Sequence, residues 1–236
     1  MNNKFEKYCY LPIVEYRNGA ISDNKYCGTF FLPKDHSHPV CARCAEPMQP
    51  LIQLKLSELP ELPKNWLDGK GYAIHLQTGI LQMYFCVNKK TDCRAEDYGS
   101  PFAPSFLVEI IYPKTNDTPK NTLITGIEFP PKVIVGWKKV IDLPLPTEIE
   151  HMGEICEEEM EDYYFDGHVE ADKLLGWPSW CQDVEFPYCP RCGRQMIFLY
   201  QLTNEGFVGS NFLFGGNGQI FVCPIHPIPA FAWSAS

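Results

Sequence analysis

The feature that most constrains this chain is a segment that occurs twice. Residues 41–54 read CARCAEPMQPLIQL, and residues 189–202 read CPRCGRQMIFLYQL, 148 positions later. Without gaps, eleven of the thirty positions between 25 and 54 are identical at this offset. The identical residues are Lys25, Gly28, Asp35, Pro39, Cys41, Arg43, Cys44, Met48, Leu51, Gln53 and Leu54. Self-similarity at one fixed, long offset indicates a single internal duplication rather than a solenoid.

The similarity continues beyond the CxxC. GILQMYFC at residues 79–86 resembles GNGQIFVC at residues 216–223. An N-terminal segment (residues 25–93) and a C-terminal segment (residues 173–226) therefore each contain a Lys-x-x-Gly loop, a CxxC, a strand, an insert and a strand that ends in Cys. We expect an α+β, β-rich fold of two pseudo-equivalent β-sheet halves. The expected division is 1–145 and 146–236, with one compact two-lobed domain as the alternative.

Apolar alternation predicts strands in both segments. Residues 52–56 and 198–202 show the period of two that is typical of strands. Residues 105–112, 122–129 and 132–143 are rich in Val, Ile and aromatic residues, which favours further strands.

Residues 147–164 are the best helix candidate. Thr147 could cap it in a capping box with Glu150. Apolar residues three or four apart form one stripe, and the other face carries eight carboxylates and no Lys or Arg. These carboxylates belong to Glu148, Glu150, Glu154, Glu157, Glu158, Glu159, Glu161 and Asp162. The acidic face is either a solvated surface or a docking surface for a basic partner.

The C-terminal segment carries a complete set of candidate metal ligands. Cys189 and Cys192 form a CxxC, and Cys223 and His226 follow about thirty residues later. A CxxC on a tight turn directs two thiolates to one ion, and a second pair completes a tetrahedron. This spacing predicts a zinc-ribbon-like site. A redox role is disfavoured because the pair lacks a thioredoxin-like βαβ setting.

The N-terminal segment supplies three matching cysteines and leaves the fourth ligand open. The three are Cys41, Cys44 and Cys86. Lys89 stands in the place of the histidine and is not an ordinary zinc ligand. Cys93 is the nearest substitute, and His36 and His38 are the competing candidates.

Both sites would have four protein ligands and no open position, which is typical of structural zinc. We therefore expect two structural Zn²⁺ ions that contribute to folding. The remaining cysteines are predicted to be small buried apolar side chains. They are Cys9, Cys27, Cys156 and Cys181.

The N-terminus lacks the apolar core of a signal peptide, and no apolar stretch is long enough to span a membrane. We therefore expect a cytoplasmic protein, and reduced thiols there favour metal binding over disulfides. The formal net charge of −9 disfavours general affinity for nucleic acid and permits basic protein partners.

The chain lacks a nucleotide-binding loop, a GxSxG elbow and an HExxH motif. The Gly-rich stretch at 209–218 is interpreted as a connection between strands. Cys181 could in principle pair with His151 or His168, but nothing in the sequence brings them together. We expect no enzymatic activity.

Residues 167–224 resemble the bacterial YwqG-like family, a domain of unknown function. Its members look like Lys-x-x-Gly-x-Pro-x-x-x-Gln, followed by a strand with Phe-Leu-x-Gln. The matching residues are Lys173, Gly176, Pro178, Gln182, Phe198, Leu199 and Gln201. Residues 133–144 also look like the strand that precedes the acidic segment in that family. Leu175 departs from the pattern, because a second Gly is usual there.

The cysteine pattern is similar to that of the programmed-cell-death-protein-2 family of eukaryotes. The matching residues are Gly176, Pro178, Trp180, Cys189, Cys192, Gly193, Phe198, Leu199, Gln201, Leu202 and Cys223. Members of that family act as dedicated chaperones for a newly made ribosomal protein. The resemblance is strong over the last third of the chain and weak over residues 25–93.

The leading hypothesis is a non-enzymatic protein-binding module, chaperone-like, for a basic client such as a ribosomal protein. One alternative is an immunity-type protein that neutralises a toxin. A zinc-ribbon nucleic-acid binder is disfavoured by the charge, and a hydrolase that uses Cys181 or a histidine comes last.

Overall fold

Strands dominate the fold. A computed structural model describes residues 4–60, 78–88, 93, 100–114, 120–122, 129–153, 167–208 and 216–235. Its strands are β1 (Lys7–Glu15), β2 (Lys25–Tyr26), β3 (Phe31–Leu32), β4 (Gln49–Lys55), β5 (Ile80–Phe85), β6 (Phe106–Ile111), β7 (Lys120–Asn121), β8 (Lys132–Asp142), β9 (Lys173–Leu175), β10 (Ile197–Thr203), β11 (Gly216–Val222) and β12 (Pro229–Ala235). Within these residues there is one α-helix, α1 (Pro146–Met152), and a 3-10 turn at Leu56–Glu58.

Ten strands form one antiparallel sheet in the order β12-β11-β10-β9-β1-β8-β2-β4-β5-β6, and β3 pairs with β7 separately. The two edge strands approach each other. Phe231 of β12 donates its backbone N–H to the Pro101 carbonyl at 3.1 Å, and its ring centroid lies 4.9 Å from that of Phe106 in β6. The sheet is therefore nearly closed.

Local geometry recurs at the 148-residue offset. β4 and β10 occupy equivalent positions, and each carries a register shift against its partner strand. The shift lies between Pro50 and Ile52 in β4, and between Phe198 and Tyr200 in β10. The isolated bridges that precede these strands, Val40–Pro47 and Tyr188–Gln195, are also 148 residues apart. From either edge inward, the order is therefore β6-β5-β4-β2 or β12-β11-β10-β9, and β1 and β8 meet in the middle.

The main apolar core draws on strands from both segments. Leu54, Leu81, Leu202 and Ile220 are fully buried there. Every residue of β5 and β11 is buried, so both faces of these strands are covered. One face packs on the main core, and the opposite face covers two smaller clusters that contain the candidate metal-ligand cysteines.

The helix begins earlier than predicted. Leu145 is the N-cap and Pro146 the first helical residue, so the prediction of a Thr147 cap is wrong. Proline suits this position because its fixed φ matches the first turn. The helix ends at Met152, where Gly153 adopts a left-handed φ of 64°. The rest of the predicted helix, at 154–164, lies outside the described residues.

The predicted strands at 52–56, 105–112, 132–143 and 198–202 are confirmed to within a few residues. Most of the predicted strand at 122–129 lies outside the described residues. One sheet runs from β12 to β6, and the division at 145/146 stays a prediction. Among the described residues, no helix is both long enough and apolar enough to cross a membrane.

Two candidate metal centres

The first candidate metal centre consists of Cys41, Cys44, Cys86 and Cys93. Their sulfur atoms all lie within 4.8 Å of one another, and the Sγ atoms of Cys44 and Cys86 are 3.6 Å apart. The CxxC precedes β4 and Cys86 follows β5. Because β4 and β5 are antiparallel neighbours, these positions meet at the same end of the sheet.

The second centre consists of Cys189, Cys192, Cys223 and His226, whose ligand atoms also lie within 4.8 Å of one another. The Sγ atoms of Cys192 and Cys223 are 3.7 Å apart. Nδ1 of His226 lies 3.7 Å from Cys189 Sγ and 3.6 Å from Cys223 Sγ. The antiparallel pair β10 and β11 positions these residues as β4 and β5 position the first set.

Both sets fit a tetrahedral ion. Zinc–sulfur bonds of about 2.3 Å imply sulfur–sulfur distances of roughly 3.8 Å, and a zinc–nitrogen bond of about 2.0 Å implies roughly 3.5 Å between sulfur and nitrogen. The four distances given above, 3.6–3.7 Å, are close to these values. Each cluster could therefore hold one metal ion.

The CxxC turns share one backbone geometry. Cys41 N–H donates to Glu46 O and Ala45 N–H donates to Cys41 O, each at 2.8 Å. The corresponding bonds join Cys189 to Arg194 and to Gly193, also at 2.8 Å. Ala45 and Gly193 complete the turns with positive φ angles of 59° and 66°. These hydrogen bonds hold the two cysteines of each CxxC in one tight turn.

Hydrogen bonds also lower the pKa of a thiol in each cluster. The side chain of Asn88, followed by the backbone N–H of Glu46, lowers the pKa of Cys44 to about 6. Burial raises the pKa of Cys189, but hydrogen bonds from the backbone of Arg191 and Cys192 and with the side chains of Cys223 and His226 together lower it to about 6. Each cluster thus contains one thiol that ionises near neutral pH, which favours capture of a metal cation.

The structure brings Cys93, rather than either competing histidine, to the first centre. His38 Nε2 lies 2.8 Å from the Met48 carbonyl, and His36 is exposed. Neither belongs to the group of ligand atoms found in the described chain.

The other predicted cysteines differ among themselves. Cys9 and Cys27 are buried as expected, and burial raises the pKa of each to about 12. Cys181 is only partly buried, so this prediction is wrong for Cys181, which lies in an irregular loop after β9. Cys156 lies outside the described residues.

The ring nitrogens of His168 have neighbours other than a cysteine. Nδ1 lies 2.8 Å from the Leu143 carbonyl, and Nε2 lies 2.7 Å from Ser179 Oγ. The first contact joins the loop before β9 to the end of β8, and the second joins it to the loop after β9.

Sequence reasoning missed a buried ion pair. Lys173 Nζ lies 2.8 Å from Asp142 Oδ2, and neither side chain is exposed to solvent. Asp142 also accepts the backbone N–H groups of Val169 and Trp177, each at 2.8 Å. Lysine occurs at both matching positions of the repeated segment, Lys25 and Lys173, which indicated a structural role for it. No sequence pattern indicated that Asp142 would be the partner of Lys173.

The sequence also did not reveal the role of the glutamine that occurs in both segments. Gln53 Oε1 accepts the N–H of Phe31 at 2.8 Å, and Gln201 Oε1 accepts the N–H of Ser179 at 2.6 Å. Phe31 and Ser179 are again 148 positions apart. The signal was present, because Gln53 and Gln201 are buried polar residues in otherwise apolar strands.

Large apolar side chains are exposed along the two central strands. Tyr8 and Ile141 lie directly opposite each other in the register of β1 and β8. Ile13 lies opposite Gly136, next to the exposed Val135. Tyr16 follows the end of β1 and is 75% exposed.

The family described as a domain of unknown function, DUF1963, matches residues 24–224, which is most of the chain. The chain belongs to the DUF1963 family. Its matched region begins just before β2 and ends just after Cys223, so it contains seven of the eight candidate metal ligands.

This DUF1963 chain is also similar to the uncharacterised protein YpfL of Salmonella typhimurium. The two are 37% identical over 54 residues, which is 22% of this chain and 12% of YpfL. Neither match names the YwqG-like or the programmed-cell-death-protein-2 family, and both resemblances remain interpretations of the sequence.

Proposed function

We propose that this DUF1963 protein is a non-enzymatic, chaperone-like binding module for a basic client protein, with one structural zinc ion at each cysteine cluster. The observation that carries the proposal is the exposure of apolar side chains on the central strands. Of nine large apolar residues exposed in the described chain, five lie on β1, on β8 or directly after β1. They are Tyr8, Ile13, Tyr16, Val135 and Ile141.

Neighbouring exposed apolar side chains, such as the cross-strand pair Tyr8 and Ile141, are typical of protein–protein interaction sites, whereas single exposed apolar residues need no explanation. The net charge of −9 favours a basic partner, because complementary charge steers association and excludes acidic competitors. The resemblance to a family of ribosomal-protein chaperones supports the same class of client. The geometry that recurs at the 148-residue offset supports an internal duplication, in which the central strands join two similar units.

Zinc is the ion that suits the donor sets best. Thiolate and imidazole ligands in a tetrahedral arrangement are typical of zinc, and four protein ligands leave no position for a substrate. In the first centre the ion would join the CxxC turn to the end of β5, and in the second centre it would join the CxxC turn to the end of β11. Both links would stabilise the fold.

The zinc proposal is tested by metal analysis of protein purified without chelator. We expect about two zinc ions per chain, and about one in a Cys189→Ser/Cys192→Ser variant. A Cys181→Ser variant, which removes a cysteine outside both clusters, is expected to keep two. Another metal at either centre, or none, would contradict the proposal.

The binding proposal is tested by capture with the tagged protein from lysate of its native cell, at low and at physiological salt. The captured partner is then purified and its affinity measured. We expect one dominant basic protein, bound more weakly by Ile13→Ser/Val135→Ser. The control Val40→Ser/Tyr188→Ser removes similarly exposed apolar side chains near the metal clusters and should bind normally.

No reproducible partner at either salt concentration would refute the proposal. Equal binding by the Ile13/Val135 variant would refute the assignment to the central strands. A toxin as the dominant partner would support the immunity interpretation instead.

A further inference from the structure

A groove of about 740 Å³ lies beside the central strands. Leu11 and Pro12 of β1 line one side of it, and residues 170–172 line the other. β9 pairs with β1 at Cys9 and Tyr10. Beyond this pairing the chain before β9 separates from β1, and the groove opens in the gap. Its volume is within the range of about 300–1,000 Å³ that is usual for ligand sites.

The wall opposite β1 is held rigidly. Asp172 is buried, and its carboxylate accepts the N–H of Thr203 at 2.8 Å and the N–H of Phe207 at 3.0 Å. Gly206 lies so close that a Cβ there would be 1.9 Å from Asp172 Oδ1. The loop at 203–208 is thus fixed against the start of β9, and the groove is built into the fold.

The groove combines an apolar floor with acidic walls. Phe129 and Phe207 supply aromatic surface. Glu170 and Glu205 are exposed at the walls, and neither forms an ion pair with a described residue. The one cation among the described lining residues is Lys132. Its ammonium group donates to the Phe207 carbonyl and lies 5.4 Å from the ring centroid of the exposed Tyr16.

The placement of the acids differs between this region and its counterpart 148 residues earlier. At the positions 148 residues earlier, Glu170, Asp172 and Glu205 are replaced by the neutral residues Ser22, Asn24 and Ser57. Asn24 Oδ1 nevertheless accepts the N–H of Lys55, as Asp172 accepts the N–H of Thr203. A neutral amide therefore makes the same structural hydrogen bond.

Two acids near the N-terminal counterpart have partners within the protein. Asp23 accepts the N–H of Ala20 at 2.7 Å, and Glu58 forms an ion pair with Lys55. Glu170 accepts a hydrogen bond from Nδ2 of Asn217 at 3.2 Å, but it is exposed and has no cationic partner among the described residues. Glu205 is exposed as well, so both carboxylates are available to a cationic ligand.

We propose that this groove binds an extended segment of a protein in which Lys or Arg side chains flank an aromatic or aliphatic residue. The apolar residue would pack on Phe207 and Phe129, and the cations would pair with Glu170 and Glu205. A nucleic acid is disfavoured because its phosphates would face these carboxylates. The inference rests on the proposed function, since it names the part of a basic client that the protein would hold.

The test uses a fluorescein-labelled peptide, Lys-Phe-Lys-Leu-Lys, and its counterpart Glu-Phe-Glu-Leu-Glu. Binding to the full chain is measured by fluorescence polarisation at low and at physiological ionic strength. The groove variant is Glu170→Ser/Glu205→Ser, which installs the residues found 148 positions earlier. The control is Asp183→Ser/Glu185→Ser, which removes the same charge from an exposed site outside the groove lining.

We expect the basic peptide to bind and the acidic one not to. The groove variant should bind the basic peptide about tenfold more weakly at low ionic strength, because two exposed ion pairs are lost. The control should bind like the wild type. A photo-crosslinking benzoylphenylalanine at position 16, which replaces an exposed aromatic residue, should label the bound peptide.

Equal affinity of the groove variant and the wild type would overturn the assignment, as would an equal loss in the control or an absence of crosslinks from position 16. Failure of the groove assignment and failure of the proposed function would give different results. If the purified client still binds the groove variant but not Ile13→Ser/Val135→Ser, the client binds the central strands and the groove assignment is wrong. If no client is captured while the peptide binds as expected, the groove is supported and the chaperone-like function is not.

Discussion

Exchange of one methyl group between the two CxxC turns tests whether the turns are geometrically equivalent. Ala45 and Gly193 occupy the same place in the two turns and have φ angles of 59° and 66°. An L-residue with a Cβ is strained in this region, whereas glycine is not. The substitutions Ala45→Gly and Gly193→Ala are therefore expected to have opposite effects on stability.

The magnitude follows from the surroundings of each position. A Cβ added at Gly193 meets no atom within 4 Å, so the cost of Gly193→Ala is backbone strain alone. A left-handed conformation costs a non-glycine residue about 1–2 kcal/mol, and the greater freedom of glycine in the unfolded chain offsets part of this. We expect Ala45→Gly to raise the free energy of unfolding by about 1 kcal/mol and Gly193→Ala to lower it by about the same amount.

The assay is urea unfolding, with thermal unfolding as a second probe. A change of about 1 kcal/mol corresponds to roughly 2–4 °C in Tm for a chain of this size. The double variant should return close to the wild-type value, because the two turns lie in separate apolar clusters. Loss of stability in Ala45→Gly, or no change in Gly193→Ala, would refute the equivalence of the two turns.

Two further predictions concern buried charges. Lys173→Met should lower the free energy of unfolding by about 3 kcal/mol, because Asp142 would remain buried without its cation, although two backbone donors remain. Lys25→Met, at the equivalent position, should lower the free energy of unfolding by about 1 kcal/mol in the same urea assay, because it removes the hydrogen bond from Lys25 to the Ala20 carbonyl. Equal losses of stability in the two variants would contradict the difference expected between these lysines. Glu148 is buried, which raises its pKa from 4.5 to about 8, although Lys7 and Lys173 act to lower it. The folded protein then binds a proton that the unfolded chain lacks between these pH values, so the free energy of unfolding should fall as pH rises through that window. Glu148→Gln should flatten this dependence relative to the exposed control Glu46→Gln, and parallel pH profiles of wild type and Glu148→Gln would contradict it.

The metal-centre geometry could be predicted because its determinants are local. A CxxC turn and a cysteine at the end of a neighbouring antiparallel strand need little beyond spacing and strand pairing. The sequence left the fourth residue of the first candidate centre open, since Cys93 follows a longer loop. His38 was excluded only by its position beside the Met48 carbonyl, which the sequence could not reveal.

The order of the sheet could not be predicted, because it depends on pairings between distant residues. The pairing of β1 with β8 brings Lys7 opposite Asp142, and no local pattern encodes that register. Nor could the burial of Glu148 be read from its helix. The acidic pattern predicted an exposed face, either solvated or open to a basic partner, whereas packing beside Phe5 and Trp177 covers this turn of α1.

The departure at Leu175 acquires a physical meaning in the structure. This is the position at which a second glycine is usual in the YwqG-like pattern. Leu175 has a φ of 63°, and Cys27, 148 residues earlier, has a φ of 55°. The backbone thus retains a conformation that glycine adopts without strain. Both side chains are buried, and the apolar contacts that they make offset the strain.

The two repeated lysines both have acceptors within the protein. Lys25 donates to the Ala20 carbonyl, and Lys173 donates to the Val169 carbonyl. Only Lys173 also has a buried carboxylate partner, Asp142. Asp142 and Asp172 each accept two backbone N–H groups, so these buried carboxylates serve the fold itself. Glu170 and Glu205 are exposed and have no cationic partner among the described residues, although Glu170 accepts a hydrogen bond from Asn217. An exposed carboxylate without a cation of its own attracts a basic ligand, which is why we expect the client at the groove beside Asp172.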